Sequence, residues 1–200
     1  MTDNFFRKAA AGLAENGNIQ EKYIELYAKA MEAVVAIAVN FGSALLISYL
    51  LGMWWHGVLL LGMFIPLRSY AGGYHSGGYV SCYFESCALL ATALLTIKYF
   101  ALKGSMISTL WQLFFISVAV IFILAPMADK NKPISEKEAH IFKKRTRLIL
   151  GAEVIVTMIL AYLQSEYMFS CIMAISLSAF ALVLQRCVEY MHLPCGQEGL

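Results

Sequence analysis

Residues 105–125 read SMISTLWQLFFISVAVIFILA, a run without one formal charge. A helix needs about 20 mostly apolar residues to cross a hydrocarbon layer ~30 Å thick. Inside lipid such a run has to be helical, because its backbone N–H and C=O groups find no water and must bond one another. Four more runs carry the same signature. Residues 33–51 and 167–185 hold no formal charge, 86–102 hold only Lys98, and 148–165 hold only Glu153. Residues 53–67 form a shorter sixth segment, with Trp54, Trp55 and His56 at its start and Pro66 near its end; it reads as a short crossing or a re-entrant turn. The expected fold is all-α, a polytopic membrane bundle of about six transmembrane helices.

Composition agrees. Over 200 residues, 60% are hydrophobic and 14% charged, and the mean hydropathy is +0.67, outside the range of soluble domains. A formal net charge of +2 is too small to hold a polyanion, so nucleic-acid binding is set aside. The five cysteines, Cys82, Cys87, Cys171, Cys187 and Cys195, are odd in number and lie mostly in or beside apolar runs. They give neither a disulfide framework nor a paired zinc motif, and no cofactor or metal is expected.

Positive charge marks the cytoplasmic side of a membrane protein. Residues 126–147 carry Lys130, Lys132, Lys137, Lys143, Lys144, Arg145 and Arg147 against Asp129, Glu136 and Glu138, and are read as a basic cytoplasmic loop. With six crossings, both termini and the stretch 68–82 then lie on the same side of the cell membrane, and Lys98 must reach outward from its span. Residues 1–32 do not read as a secretion signal, since acidic and basic residues alternate without an apolar core. They read as two amphipathic interfacial helices preceding the transmembrane domain of residues 33–200. The first carries Phe5, Phe6, Ala9, Ala10 and Leu13 on one side. The second is expected to start with a capping box of Asn18 and Glu21 and to pair Glu25 with Lys29.

The chemistry is concentrated between Arg68 and Cys82, in the sequence RSYAGGYHSGGYVSC. On a continuous helix His75 and Cys82 would stand about 10.5 Å apart along the axis, too far to bond. Gly72, Gly73, Gly77 and Gly78 oppose such a helix, each costing about 1 kcal/mol relative to alanine. A loop can fold His75 back toward Cys82. If the next helix starts near Tyr79, Cys82 falls in its first turn, where the positive helix end favours a thiolate. The residues alone leave three readings open: a Cys-His nucleophile pair, a glycine junction for close helix packing, and a poorly spaced zinc site of His75, Cys82 and Cys87. Around them, Glu85 either orients His75 or favours the helix dipole, Ser76 reads as a loop hydrogen-bonder, and Arg68 as a carboxylate or headgroup anchor. Asn40 is read as packing, and Glu153 as a carboxylate that pairs with a basic residue. His56 and His140 have no nucleophile near them in sequence.

At these residues the chain resembles a known family. Arg68, Ala71, Gly72, Gly73 and His75, followed after six residues by Cys82, are similar to the signature of the accessory gene regulator B family, the membrane cysteine endopeptidases of peptide quorum sensing. Pro126, Asn131-Lys132-Pro133 and the basic stretch to Arg147 resemble that family's central loop. The resemblance implies that Cys82 is the nucleophile and His75 its base. It also implies that a short precursor peptide with an acidic carboxyl-terminal tail is cut through an acyl-thioester and closed into a thiolactone or lactone ring, and that the protein is a homodimer. On this reading Lys143, Lys144 and Arg145 attract the acidic tail. The competing reading is a small transporter or exporter of a peptide, which Asn40 and Glu153 inside apolar spans would serve.

Overall fold

The computed structural model describes residues 2–15, 20–72, 79–101, 107–127 and 136–191. Among these residues there is no strand. The helices in chain order are α1 (Thr2–Glu15), α2 (Ile24–Leu50), α3 (Trp54–Ala71), α4 (Tyr79–Thr96, prolonged by a π-helical turn at Ile97–Ala101), α5 (Ile107–Leu124), α6 (Glu136–Tyr162) and α7 (Met168–Met191). Four of them, α2, α4, α5 and α7, are long and apolar enough to cross a membrane. The other two expected spans are present as helices of different make. α3 combines His56, Pro66 and Arg68 with its apolar residues, and α6 spends its first third on charge.

Two expected boundaries are corrected. The basic stretch is helical from Glu136 onward, so Lys137, Lys143, Lys144, Arg145 and Arg147 lie on α6 and not in a loop. Lysine, arginine and glutamate are good helix formers, and no glycine or proline interrupts residues 136–150. Likewise the second amphipathic helix is not separate from the first span. A 3₁₀ turn at Glu21–Tyr23 leads straight into α2, which runs unbroken to Leu50. The capping box expected on Asn18 lies outside the described residues, and α2 starts at Tyr23 without a side-chain cap. Glu25 reaches Arg7 of α1 at 3.9 Å, an exposed pair of small energetic weight.

Burial identifies the centre. In α7, 67% of the membrane-length window is buried, against 11% in α2 and 22% in α4 and α5. Its Cys171, Ile172, Ala174, Ile175 and Leu182 are fully covered, and α3, α4, α5 and α6 pack around it. The outer helices turn Val34, Ile37, Leu50, Phe115, Ile123 and Ile155 outward, as a lipid-facing surface requires.

Close approach explains the α2–α3 hairpin. After the tight turn at residues 51–53, where Met53 N–H bonds the Ser48 carbonyl at 2.9 Å, Gly57 lies directly on Ser48. A Cβ at Gly57 would overlap the Ser48 side chain, whose hydroxyl bonds back to the Ala44 carbonyl at 2.8 Å. Membrane helices associate through such small-residue contacts because lipid gives apolar side chains no reason to leave it. Lys98 completes this end of the bundle. Its ammonium donates to the Leu51 carbonyl at 2.7 Å, so the cation expected to reach outward neutralises the carboxyl end of α2.

Gly57→Ala should therefore lower the thermal midpoint of the purified protein, with a loss on the order of 1–3 kcal/mol from overpacking. Gly62→Ala on the same helix, where a new methyl meets nothing within 4 Å, should leave the midpoint unchanged or slightly raised.

Candidate functional site

The end of α3 is held by three contacts. Arg68 Nη1 donates to the Gly72 carbonyl at 2.7 Å, closing the last turn with a cation where the helix dipole is negative. Gly72 ends the helix at φ +77° and ψ −155°, a region essentially reserved for glycine. A Cβ there would also strike the Met127 carbonyl. Beside this contact the Met127 N–H bonds the Ala71 carbonyl at 3.0 Å. Residues 125–127, which follow α5 and include a cis Ala125–Pro126 peptide, are thus tied to the start of the glycine stretch.

The charged start of α6 arrives at the same end. Tyr70 of α3 meets Phe142 at a ring separation of 6.1 Å, and the Arg145 guanidinium lies over the Tyr70 ring at 5.4 Å. Arg147 covers Phe122 of α5 at 4.3 Å. These contacts give Arg145 a packing role of its own. Lys143 and Lys144 are exposed beside it. A cavity of about 370 Å³ opens nearby, lined by Ile123, Leu124, Pro126 and Met127 with Arg186 and Glu189 of α7.

α4 begins at Tyr79, as expected, and Cys82 stands in its first turn as a half-buried free thiol. Its neighbour Tyr83 bonds Ser43 of α2 through the hydroxyl at 2.9 Å, which fixes this turn against α2. Glu85 accepts a hydrogen bond from Ser81 at 3.1 Å, one helical turn back. Cys87 is half-buried further along α4, Cys171 is buried in α7 and Cys187 is exposed. His75, Ser76 and Cys195 lie outside the described residues. The distance of His75 from Cys82 is therefore not part of this geometry, and no group of three metal-ligating side chains occurs among the described residues.

One polar cluster escaped the sequence reading. His56, without a nucleophile near it in sequence, lies at 2.9 Å from the hydroxyl of Ser170 through Nδ1 and at 3.8 Å from Glu166 through Nε2. The Tyr167 ring is 5.0 Å away. Ser170 is fully buried, so the Ser-His-Glu order does not present a reachable nucleophile; it clasps the start of α3 to the α6–α7 turn. Nothing local announces it, because the partners are separated by 114 residues. Glu153 is a second departure: the basic partner expected for it is absent among the described residues, and both its carboxyl oxygens are buried without a hydrogen bond.

Compared with known proteins, residues 6–184 match the family described as accessory gene regulator B. No curated protein and no solved structure matches the chain.

Gly72→Ala tests the junction. It should cost on the order of 1–3 kcal/mol through the glycine-only backbone conformation. It should also displace residues 125–127, read as increased proteolysis after Pro126 in the folded protein.

Proposed function

Because the chain belongs to the accessory gene regulator B family, peptidase-like membrane proteins of a quorum-sensing system, we propose that it is a membrane cysteine endopeptidase that matures a cyclic signalling peptide. The observation that carries this reading is the placement of Cys82. A free, half-buried thiol occupies the first turn of a helix, at the positive end of its dipole. The Cys82 sulfur attacks the scissile carbonyl of a short precursor, His75 takes the thiol proton, and the same imidazole then protonates the leaving amine. The amino-terminal part of the precursor stays on sulfur as a thioester until a side chain of that peptide displaces Cys82 and closes the ring.

Energetics favour sulfur for this sequence. Forming a thioester from an amide is uphill, so the precursor has to be held in register and its cleaved tail lost. Transfer from one thiol to another is nearly isoenergetic. Water must be kept from the thioester, and a site at the rim of a lipid-embedded bundle supplies that exclusion. No cofactor is needed. The excess of basic residues on α6 supports a cytoplasmic position for the Cys82 end, and on this reading two copies form the working unit. Arg145, engaged with Tyr70, positions α6, while Lys143 and Lys144 attract the acidic tail of the precursor.

Co-expression with a tagged precursor tests the nucleophile. Cys82→Ala should abolish cleavage, and alanine at Cys87, Cys171 or Cys187 should leave most of it; full cleavage by Cys82→Ala would overturn the proposal. His75→Ala should slow alkylation of Cys82 near neutral pH by about tenfold or more if the imidazole generates the thiolate. An unchanged rate would remove His75 from the mechanism.

The lysines are tested separately from the packed arginine. Lys143→Gln with Lys144→Gln should raise the apparent KM for the precursor several-fold and flatten its dependence on salt, with kcat little changed. Kinetics unaffected across a salt series would assign these lysines to membrane orientation alone.

A further inference from the structure

Glu153 is buried on α6, a helix that packs against α3 and α7. It is 94% buried, and both carboxyl oxygens lack a hydrogen-bond partner among the described residues. The charged groups of the two facing helices are engaged at the bundle ends: Arg68 with the Gly72 carbonyl, Arg186 with Glu189, and His56 with Ser170 and Glu166. Tyr70, also on α3, is at the Cys82 end under Arg145, and Cys187 and Tyr190 are exposed in the carboxyl-terminal turns of α7. The Cys171 thiol, beside Thr157, is the titratable group within electrostatic reach of Glu153. An ionised carboxylate left there alone carries a heavy desolvation cost. The position therefore calls for a ligand that neutralises it.

The surroundings choose that ligand. A metal cation needs several oxygen donors around it. The nearest hydroxyl on the same helix, Thr157, is committed to the Glu153 backbone carbonyl at 2.7 Å, and Ser176 and Ser178 of α7 are committed to their own helix at 2.8 and 2.9 Å. A proton needs only one oxygen. On α6 itself an unpartnered hydroxyl lies toward one end: Thr146, two turns earlier on the same face, also has a buried hydroxyl oxygen without a partner among the described residues. It sits about 10.5 Å from Glu153 along the helix, toward the end where Arg145 meets Tyr70. Toward the opposite end the hydroxyls of Thr157 and Ser170 are already bonded.

We propose that Glu153 is a proton-binding site inside the bundle, loaded from the end that carries Cys82. The proton joins one carboxyl oxygen and leaves by the same route, so the group is a membrane-interior acid with access from one side. The site is independent of the thiol chemistry.

Dicyclohexylcarbodiimide, an apolar reagent that adds to protonated carboxyls in apolar surroundings, tests this on the full chain in sealed membrane vesicles of each orientation. The reagent should modify Glu153, seen by mass on its peptide, and Glu153→Gln should show no such modification. The rate should fall by roughly tenfold per pH unit once the proton is lost. It should respond to pH on the Cys82 side and be indifferent to pH on the other. Cys82→Ala should label at the parental rate, which separates failure of this site from failure of the proposed peptidase. Absence of labelling, a rate independent of pH, control from the opposite side, or protection by sodium at fixed pH would each overturn the proposal.

Discussion

The bundle depends on how α7 is covered. In lipid there is no hydrophobic gain in bringing two apolar helices together, so they associate by close packing and a few polar contacts. α7 offers alanine, serine and cysteine at Ser170, Cys171, Ala174, Ser178 and Ala179, all buried, and α3, α5 and α6 pack against this helix. The larger residues between them, Ile172, Ile175 and Leu182, fill the remaining space. Serine hydroxyls on this face turn back to carbonyls one turn earlier, so they allow close approach without leaving an unsatisfied donor.

From that centre the two ends of the bundle differ. One is closed by the Lys98 contact with Leu51 and by the His56 clasp on Ser170 and Glu166. At the other, α3 stops at Gly72, residues 125–127 bond to it, α6 stacks Arg145 on Tyr70, and Cys82 lies in the first turn of α4. Backbone and aromatic contacts do the joining there, and the charged side chains are left at the surface. The closed end joins helices through polar side chains; the other end has a free thiol and charged groups at its glycine junction.

Much of this was legible in the sequence. Uninterrupted apolar runs announce helices because lipid permits little else, and the glycine stretch marked the start of α4 near Tyr79, while α3 runs past its expected end at residue 67 to Ala71. What stayed hidden has physical reasons. Hydropathy records where a helix meets lipid, not where it begins, so the charged first third of α6 and the interfacial start of α2 read as separate pieces. The His56 clasp and the seat of Lys98 join distant segments, and spacing along the chain carries no trace of them. Glu153 read as half of an ion pair because that is the usual way to bury a carboxylate; its environment emerged only when α3, α6 and α7 were assembled around it. At the candidate site the sequence supplied the thiol and its helix turn, while the bracing of Gly72 by Met127 required the fold.

The length of α2 has a consequence of another kind. At 27 residues it is about 40 Å long, against a hydrocarbon core of about 30 Å. The excess is taken up by tilt or by emergence into water, and the thickness of the surrounding lipid sets the share of each. α1 packs on the first turns of α2 and travels with them. A thicker bilayer draws that rod upright and a thinner one leans it over, so the lipid composition of the cell becomes a mechanical input to where α1 stands over the rest of the molecule.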